Sequence, residues 1–412
     1  MWGRMPVVLS ASVLIASSGC RAGLPVSEQV TVKSAVPTAD SIVRAAIGKL
    51  TPGAVLLVSK DGKVVHEAAY GFAQLNDFDG KPLAKPIPMR VSTVFDAASV
   101  TKVMATTFAA MLLVDRGQLD IDAPVHKYLG DFRGPRLDSI TVRHLLNHSS
   151  GLVQWQPLYY QASNSRETYE AIRKMPLGWG VGEGRHYSDL GFMLLGYVIE
   201  AISGKRLDAF LDDELYRPLG LKNIAFNPRK RGFTEFAATE SGNAYERQMV
   251  YDPNFGYDYA GDPKSWDGWR QYVTVGETND GNAWYANEGV AGHAGLFATA
   301  RDLGVLIDIL NAGGTGERGV IVREETVDKF LTRDRYGHYL GWQVPAEMPE
   351  GTFAHTGFTG TWVAGVPKHD ISIVLLTNRQ NMGRDAKGFF PDVGPLRTAV
   401  GKAVISDLVG ND

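Results

Sequence analysis

Apolar positions along 38–50 recur every three to four residues, placing Ile42, Val43, Ala46, Ile47 and Leu50 on one face, and this spacing predicts a helix. The next apolar run, 53–58, reads as a buried strand. Asp61-Gly62 tolerates the positive φ angles of a tight turn, so Val64 to Ala69 is predicted to return as the second strand of a hairpin. Toward the other end, 353–357, 361–367 and 371–377 read as three short strands, with Lys368-His369-Asp370 turning between the last two. A helix is predicted over 395–408. Between these ends, 99–335 shows mostly helical periodicity. Leu190, Met193, Leu194, Tyr197, Val198, Ala201 and Ile202 form one stripe that Gly204 stops.

The 412 residues are 44% hydrophobic and 21% charged, values of an ordinary globular chain that exclude a disordered, collagen-like or coiled-coil protein. Lys plus Arg number 42 against 45 for Asp plus Glu, and no basic face is visible, so no nucleic-acid partner is expected. The single cysteine, Cys20, excludes an intrachain disulfide and a thiolate zinc cluster. Arg4, an apolar stretch over 7–16 and Ala16-Ser17-Ser18-Gly19 before Cys20 predict a cleaved export signal over 1–19 and a tether over 20–36. Small residues ending in Gly19 resemble a bacterial lipoprotein signal, which implies lipidation of Cys20 and a place in the cell envelope; Ser17 stands where such signals usually carry Leu. Membrane contact is expected through this N-terminus alone.

Chemistry concentrates in three short motifs. Ser99-Val100-Thr101-Lys102 opens a helix, and residues three apart on a helix face the same way, so hydroxyl and amine meet. A serine hydroxyl needs such a neighbour to become a nucleophile. The other reading of this tetrad is a capping serine followed by an exposed lysine. The second motif, Tyr187-Ser188-Asp189, precedes the apolar stripe, and the third, His355-Thr356-Gly357, lies on a C-terminal strand. His144 and His148 are four apart but lack a third ligand, and the glycines from Gly178 to Gly184 do not follow a strand. Neither a metal nor a nucleotide cofactor is therefore expected.

The order and separation of these motifs resemble the serine β-lactamase and penicillin-binding-protein superfamily, nearest its class C-like branch, over residues 37–409. His144 to Leu152 and Gly289 to Phe297 also resemble that branch. The resemblance implies an α/β (α+β) fold, with an antiparallel sheet built from 37–98 plus 336–412, flanked by the N- and C-terminal helices. An all-helical domain, 99–335, is inserted, and the site lies between the two. It further implies Ser99 as nucleophile, Lys102 and Tyr187 as the proton-handling pair, and the backbone amides of Ser99 and Phe358 as the oxyanion hole. His355, Thr356 and Gly357 would line the substrate along the strand.

Two departures bear on the substrate. His355 stands where most β-lactamases of this branch carry lysine, and it is expected to hold a substrate carboxylate when protonated, which favours a peptidase or esterase over a lactamase. Asp189 replaces an asparagine. It favours the protonated form of Lys102, leaving Tyr187 as the base, or merely caps the helix that begins at Leu190, and the two roles can coexist. No glutamate loop of the class A type precedes Tyr187, so deacylation is expected to use the tyrosine or to be slow. Residues 245–272 are rich in aromatics, which either pack the insertion or wall the cleft. The implied activity is acyl-enzyme hydrolysis of peptidoglycan D-alanyl peptides or of a small ester. A β-lactamase and, from another class, a non-catalytic lipoprotein sensing cell-wall fragments or β-lactams remain the alternatives.

Overall fold

The computed structural model describes residues 34–257 and 259–410. The export signal, Cys20 and most of the tether lie outside these residues. Val36, the last tether position, is fully buried against the sheet, so packing begins before helix α1 (Pro37–Ala46).

Strand β1 (Gly53–Lys60) turns into β2 (Lys63–Asn76) through Asp61 and Gly62, both at positive φ as the Asp-Gly pair predicts. β1 is buried until its last residue, the burial of a central strand covered on both faces. Strand β3 (Pro82–Pro88) was not predicted, because its three prolines interrupt any pattern; it sits at the sheet edge, where a missing N–H is tolerated. The chain then passes through helices α2 (Phe108–Asp115), α3 (Asp189–Ser203) and α4 (Ala300–Asn311). It returns as strands β4 (Phe353–Thr356), β5 (Trp362–Val366) and β6 (Ile371–Thr377), and ends in helix α5 (Gly394–Val409).

The six strands form one sheet in the order β4-β5-β6-β1-β2-β3, with antiparallel neighbours throughout. The two chain ends join at β1 and β6, where Ala54 lies opposite Thr377 and Lys60 opposite Ile371. Strand alternation divides the core in two. Ala54, Leu56, Val58 and Ile373 pack with Val43, Leu396 and Val400 of α1 and α5, while Val55, Leu57, Val374 and Leu376 face α4 and the inserted region. Each of the Val, Leu and Ile side chains contributes about 1.5–3 kcal/mol of burial, so the sheet is a stiff platform for whatever its edge carries.

The inserted stretch departs from the all-helical expectation. Phe95–Asp96, Leu296–Ala298 and Ile224–Phe226 pair as a small sheet, and Ala238–Ser241 pairs with Val273–Val275. Helix α4, although inside 99–335, belongs to the platform: Leu57 approaches its Gly304 so closely that a Cβ there would come within 2.8 Å of a methyl group. A helical period reveals an apolar stripe but not the surface that covers it. The apolar run Ala98–Asp115, 18 residues long, is buried within this core.

Candidate active site

The tetrad containing Ser99 is held in an unusual backbone. Ala97 N donates to Leu296 O, 2.9 Å, and Ala98 N donates to Asp96 Oδ1, 2.8 Å, which keeps Ala98 at φ 47°. A left-handed residue with a side chain costs about 1–2 kcal/mol. Asp96 repays the distortion by also accepting from Asn279 N, 2.7 Å. Burial raises this carboxyl to about 6 against those two N–H groups. A single 3-10 turn, Ala98–Val100, and a wide π turn, Lys102–Thr107, then lead into α2. Such wide turns cluster at functional sites.

Lys102 is fully buried, and its ammonium donates to Ser99 Oγ at 3.1 Å, Asp189 Oδ1 at 2.6 Å and His293 O at 3.2 Å. Burial by itself would lower the lysine, but the Asp189 carboxylate outweighs it and the group is raised. Tyr187 is hydrogen-bonded to both Ser99 and Lys102; burial raises its phenol while the Lys102 charge opposes the shift. The structure thus brings a serine hydroxyl, an amine and a phenol together, where a cap would leave the lysine exposed.

Ser188 rather than Asp189 caps α3, accepting from Gly191 N at 3.2 Å. The capping reading of Asp189 is corrected, because Asp189 is already the first helical residue and its carboxylate points at Lys102. His148, expected to have no ligand role, accepts from Ser188 N at 3.0 Å and lies tilted against Tyr187 with centroids 4.4 Å apart, while His144 closes a capping box with Thr141. Neither the His293 carbonyl nor its support was predicted. His293 Nε2 bonds Asp280 Oδ1 at 2.9 Å, and Asp280 caps the helix Gly281–Ala286. Asp189, Asp280 and His293 gather their ligand atoms within 4.8 Å. Lys102 already supplies positive charge to that cluster, so the donor set fits an ammonium rather than a metal ion.

The expectation for His355 is overturned. It is fully buried, its Nδ1–H donates to Thr356 O at 2.9 Å, and burial reinforced by Lys102 lowers it to about 3, so it is neutral at working pH. Alternation along β4 turns Phe353 and His355 toward the helical region and Tyr187, 6.2 Å away by ring centroids, and Ala354 toward α5. The cations near Thr356 are two arginines that no motif signalled. Arg397 of α5 donates through Nη2 to Gly357 O and Thr361 O, both at 3.0 Å, while its buried Nε makes no bond. Burial lowers it only to about 10, so it stays cationic. Arg379 donates to Phe358 O and lies 5.3 Å over the Phe358 ring.

These elements enclose a pocket of about 410 Å³. Ser99, Tyr187, Asp189, Thr356, Gly357, Phe358 and Arg397 line it, with Trp155, Tyr245 and Tyr257 as an aromatic wall. His355 and Lys102 stand behind that lining. A Cβ at Gly357 would meet Thr361 Oγ1 at 2.0 Å and Ala97 O at 2.5 Å, so only glycine lets the strand end approach the Ser99 turn. The aromatics of 245–272 do both things expected of them: most pack as a cluster with Tyr159 and Trp155, and Tyr245 and Tyr257 reach the pocket.

A family model described as Beta-lactamase matches residues 39–389. The chain is 33% identical over 370 residues to the N-acetylmuramyl-L-alanine amidase of Bacillus subtilis (strain 168), covering 83% of this chain and 80% of that protein. It is 34% identical over 361 residues to a putative D-alanyl-D-alanine carboxypeptidase of Salmonella agona (strain SL483), covering 80% and 79%. Among solved structures, EstCE1, a hydrolase with promiscuous acyltransferase activity, superposes with a TM-score of 0.66 at 21% identity, covering 90% of this chain and 98% of that one.

Proposed function

The chain belongs to the Beta-lactamase family of serine hydrolases, and we propose that it hydrolyses carboxylate-terminated amides, the D-alanyl peptides of peptidoglycan, through an acyl-enzyme on Ser99. One observation carries the substrate reading: Arg397, a half-buried cation, borders the Ser99 pocket beside Thr356. A guanidinium so placed matches a carboxylate better than it matches a neutral ester.

In this reading Lys102 keeps its proton and Tyr187 does the exchange. Ser99 Oγ attacks the substrate carbonyl as its proton passes to the Tyr187 phenolate. The ammonium of Lys102, already bonded to Oγ, steadies the charge. The amides of Ser99 and Phe358 receive the oxyanion. Tyr187 then protonates the departing amine, and in the second half it takes a proton from the water that attacks the acyl group and returns it to Ser99 Oγ as the acyl–oxygen bond breaks. The export signal and lipidated Cys20 would hold the enzyme in the cell envelope, where such peptides occur.

Small-ester hydrolysis is the second reading, favoured by the aromatic wall of Trp155, Tyr245 and Tyr257, which suits an apolar acyl group. Arg397→Gln separates the two. A charge-assisted hydrogen bond contributes about 1.5–3 kcal/mol, so wild type should prefer a carboxylate-terminated substrate over its carboxamide by about ten- to a hundredfold in kcat/KM, and the variant should lose that preference. Equal rates on both substrates in wild type would remove the peptidase reading and leave the esterase.

A further inference from the structure

A second cavity of about 200 Å³ lies against the α5 side of strand β4. Gln343, Thr356 and Arg397 border both this cavity and the Ser99 pocket, so the two are neighbouring chambers with the guanidinium between them. Beyond that junction its walls turn apolar, with Pro345, Ala346, Met348, Ala354 and Trp362. We infer that this cavity receives an apolar side chain of the residue that is released, so that the preferred leaving group is bulkier than alanine. The inference rests on the acyl-enzyme reading above.

Three features set the direction. In the acyl-enzyme reading the amides of Ser99 and Phe358 would hold one end of the scissile carbonyl. Tyr187, which hands its proton to the departing atom, lies on the His355 side of the strand. Thr356 and Arg397 border the same pocket as Ser99, so a leaving residue directed along them brings its carboxylate to the guanidinium at the chamber junction. The carbon bearing that carboxylate carries one further substituent, and the 200 Å³ cavity opens beside it.

More backbone cannot enter by pairing along β4. Gln343 N donates to Ala354 O at 2.8 Å and Ala354 N donates to Gln343 O at 2.9 Å, which occupies the edge of the strand at that point. A side chain needs no such pairing. The methyl of alanine would leave most of the chamber to solvent, since 200 Å³ corresponds to about seven waters at roughly 30 Å³ each. A benzyl or long aliphatic group would fill it and touch Trp362 and Met348. A methylene in an apolar pocket discriminates about ten- to two-hundredfold.

The test uses N-acylglycyl thioesters of mercaptoacetate, 2-mercaptopropionate and 2-mercapto-3-phenylpropionate, the chiral acids as separate enantiomers. All keep the carboxylate and differ only in the side chain. Thiol release gives kcat/KM, and intact mass reports acylation of Ser99. One enantiomer of the phenyl compound should exceed mercaptoacetate by at least about tenfold. Thr398→Trp on α5 and Ala346→Trp on the opposite wall each fill the chamber from a different element, so one misfolded variant does not remove the test. Each should lower the phenyl rate at least about tenfold and leave the mercaptoacetate rate within about twofold. A flat series in wild type, or an equal fall on all three substrates in both variants, overturns the chamber's role while the acyl-enzyme stands. Absence of a Ser99 adduct with every thioester overturns both.

Discussion

Replacing Asp189 with asparagine tests which group holds the proton. The Lys102 ammonium is fully buried, Asp189 is 18% exposed, and Nζ lies 2.6 Å from Oδ1. Two unit charges 4 Å apart interact by about 4 kcal/mol at an effective dielectric of 20, and the shorter distance raises this to about 6. Some of that is kept, because an asparagine carbonyl still accepts from Nζ. Breaking one partner of a buried pair costs about 3–5 kcal/mol in practice, which at about 1.36 kcal/mol per unit lowers Lys102 by about 2–4 pKa units. From its raised starting point the lysine then gives up its proton at a lower pH than in wild type and can share the role of base. In wild type the base is Tyr187, raised by burial, so kcat/KM should climb with pH into the alkaline range. In Asp189→Asn the climb should move down by at least about one unit. Thiol release from the mercaptoacetate thioester between about pH 5 and pH 11 gives both profiles. A folded-state lysine raised above its unfolded value stabilises fully below about 10.4 and stops doing so as pH rises through the folded value. The loss of thermal stability in the variant should therefore be constant from about pH 6 to pH 9 and shrink above that. Superimposable activity profiles would refute the assignment of the proton to Lys102 and of the base to Tyr187.

Two further outcomes follow from the site. His355→Gln should leave the preference for a carboxylate over a carboxamide within about twofold of wild type, because the imidazole is neutral and bonded to the Thr356 carbonyl. Loss of that preference would return carboxylate binding to His355. Gly292→Ala places a Cβ 2.0 Å from Phe192 O, against α3 and one residue before the carbonyl that Lys102 uses. The strain of overpacking is about 1–3 kcal/mol or more, so the melting temperature should fall. Turnover of the thioester should fall at least about tenfold as His293 O leaves Lys102; a melting shift with unchanged turnover would show that this carbonyl does not position the lysine.

What the amino-acid order settled by itself is local. The strand over 371–377, the Asp61-Gly62 hairpin, the helix after Tyr187 and the three-residue offset of Ser99 and Lys102 all follow from backbone rotation per residue, which acts within a turn or two. Burial and long-range contact decided the rest. Whether Asp189 capped its helix or reached Lys102, 87 positions earlier, depended on Ser188 taking the cap. The charge on His355 depended on how completely the inserted region covers that face of β4. Arg397 meets Gly357 across 40 residues because α5 packs on the sheet end, and no pattern near the motif signals it. Charge states and cavities depend on how much water and which distant dipoles surround a group, and that environment exists only after the chain ends have met across β1 and β6.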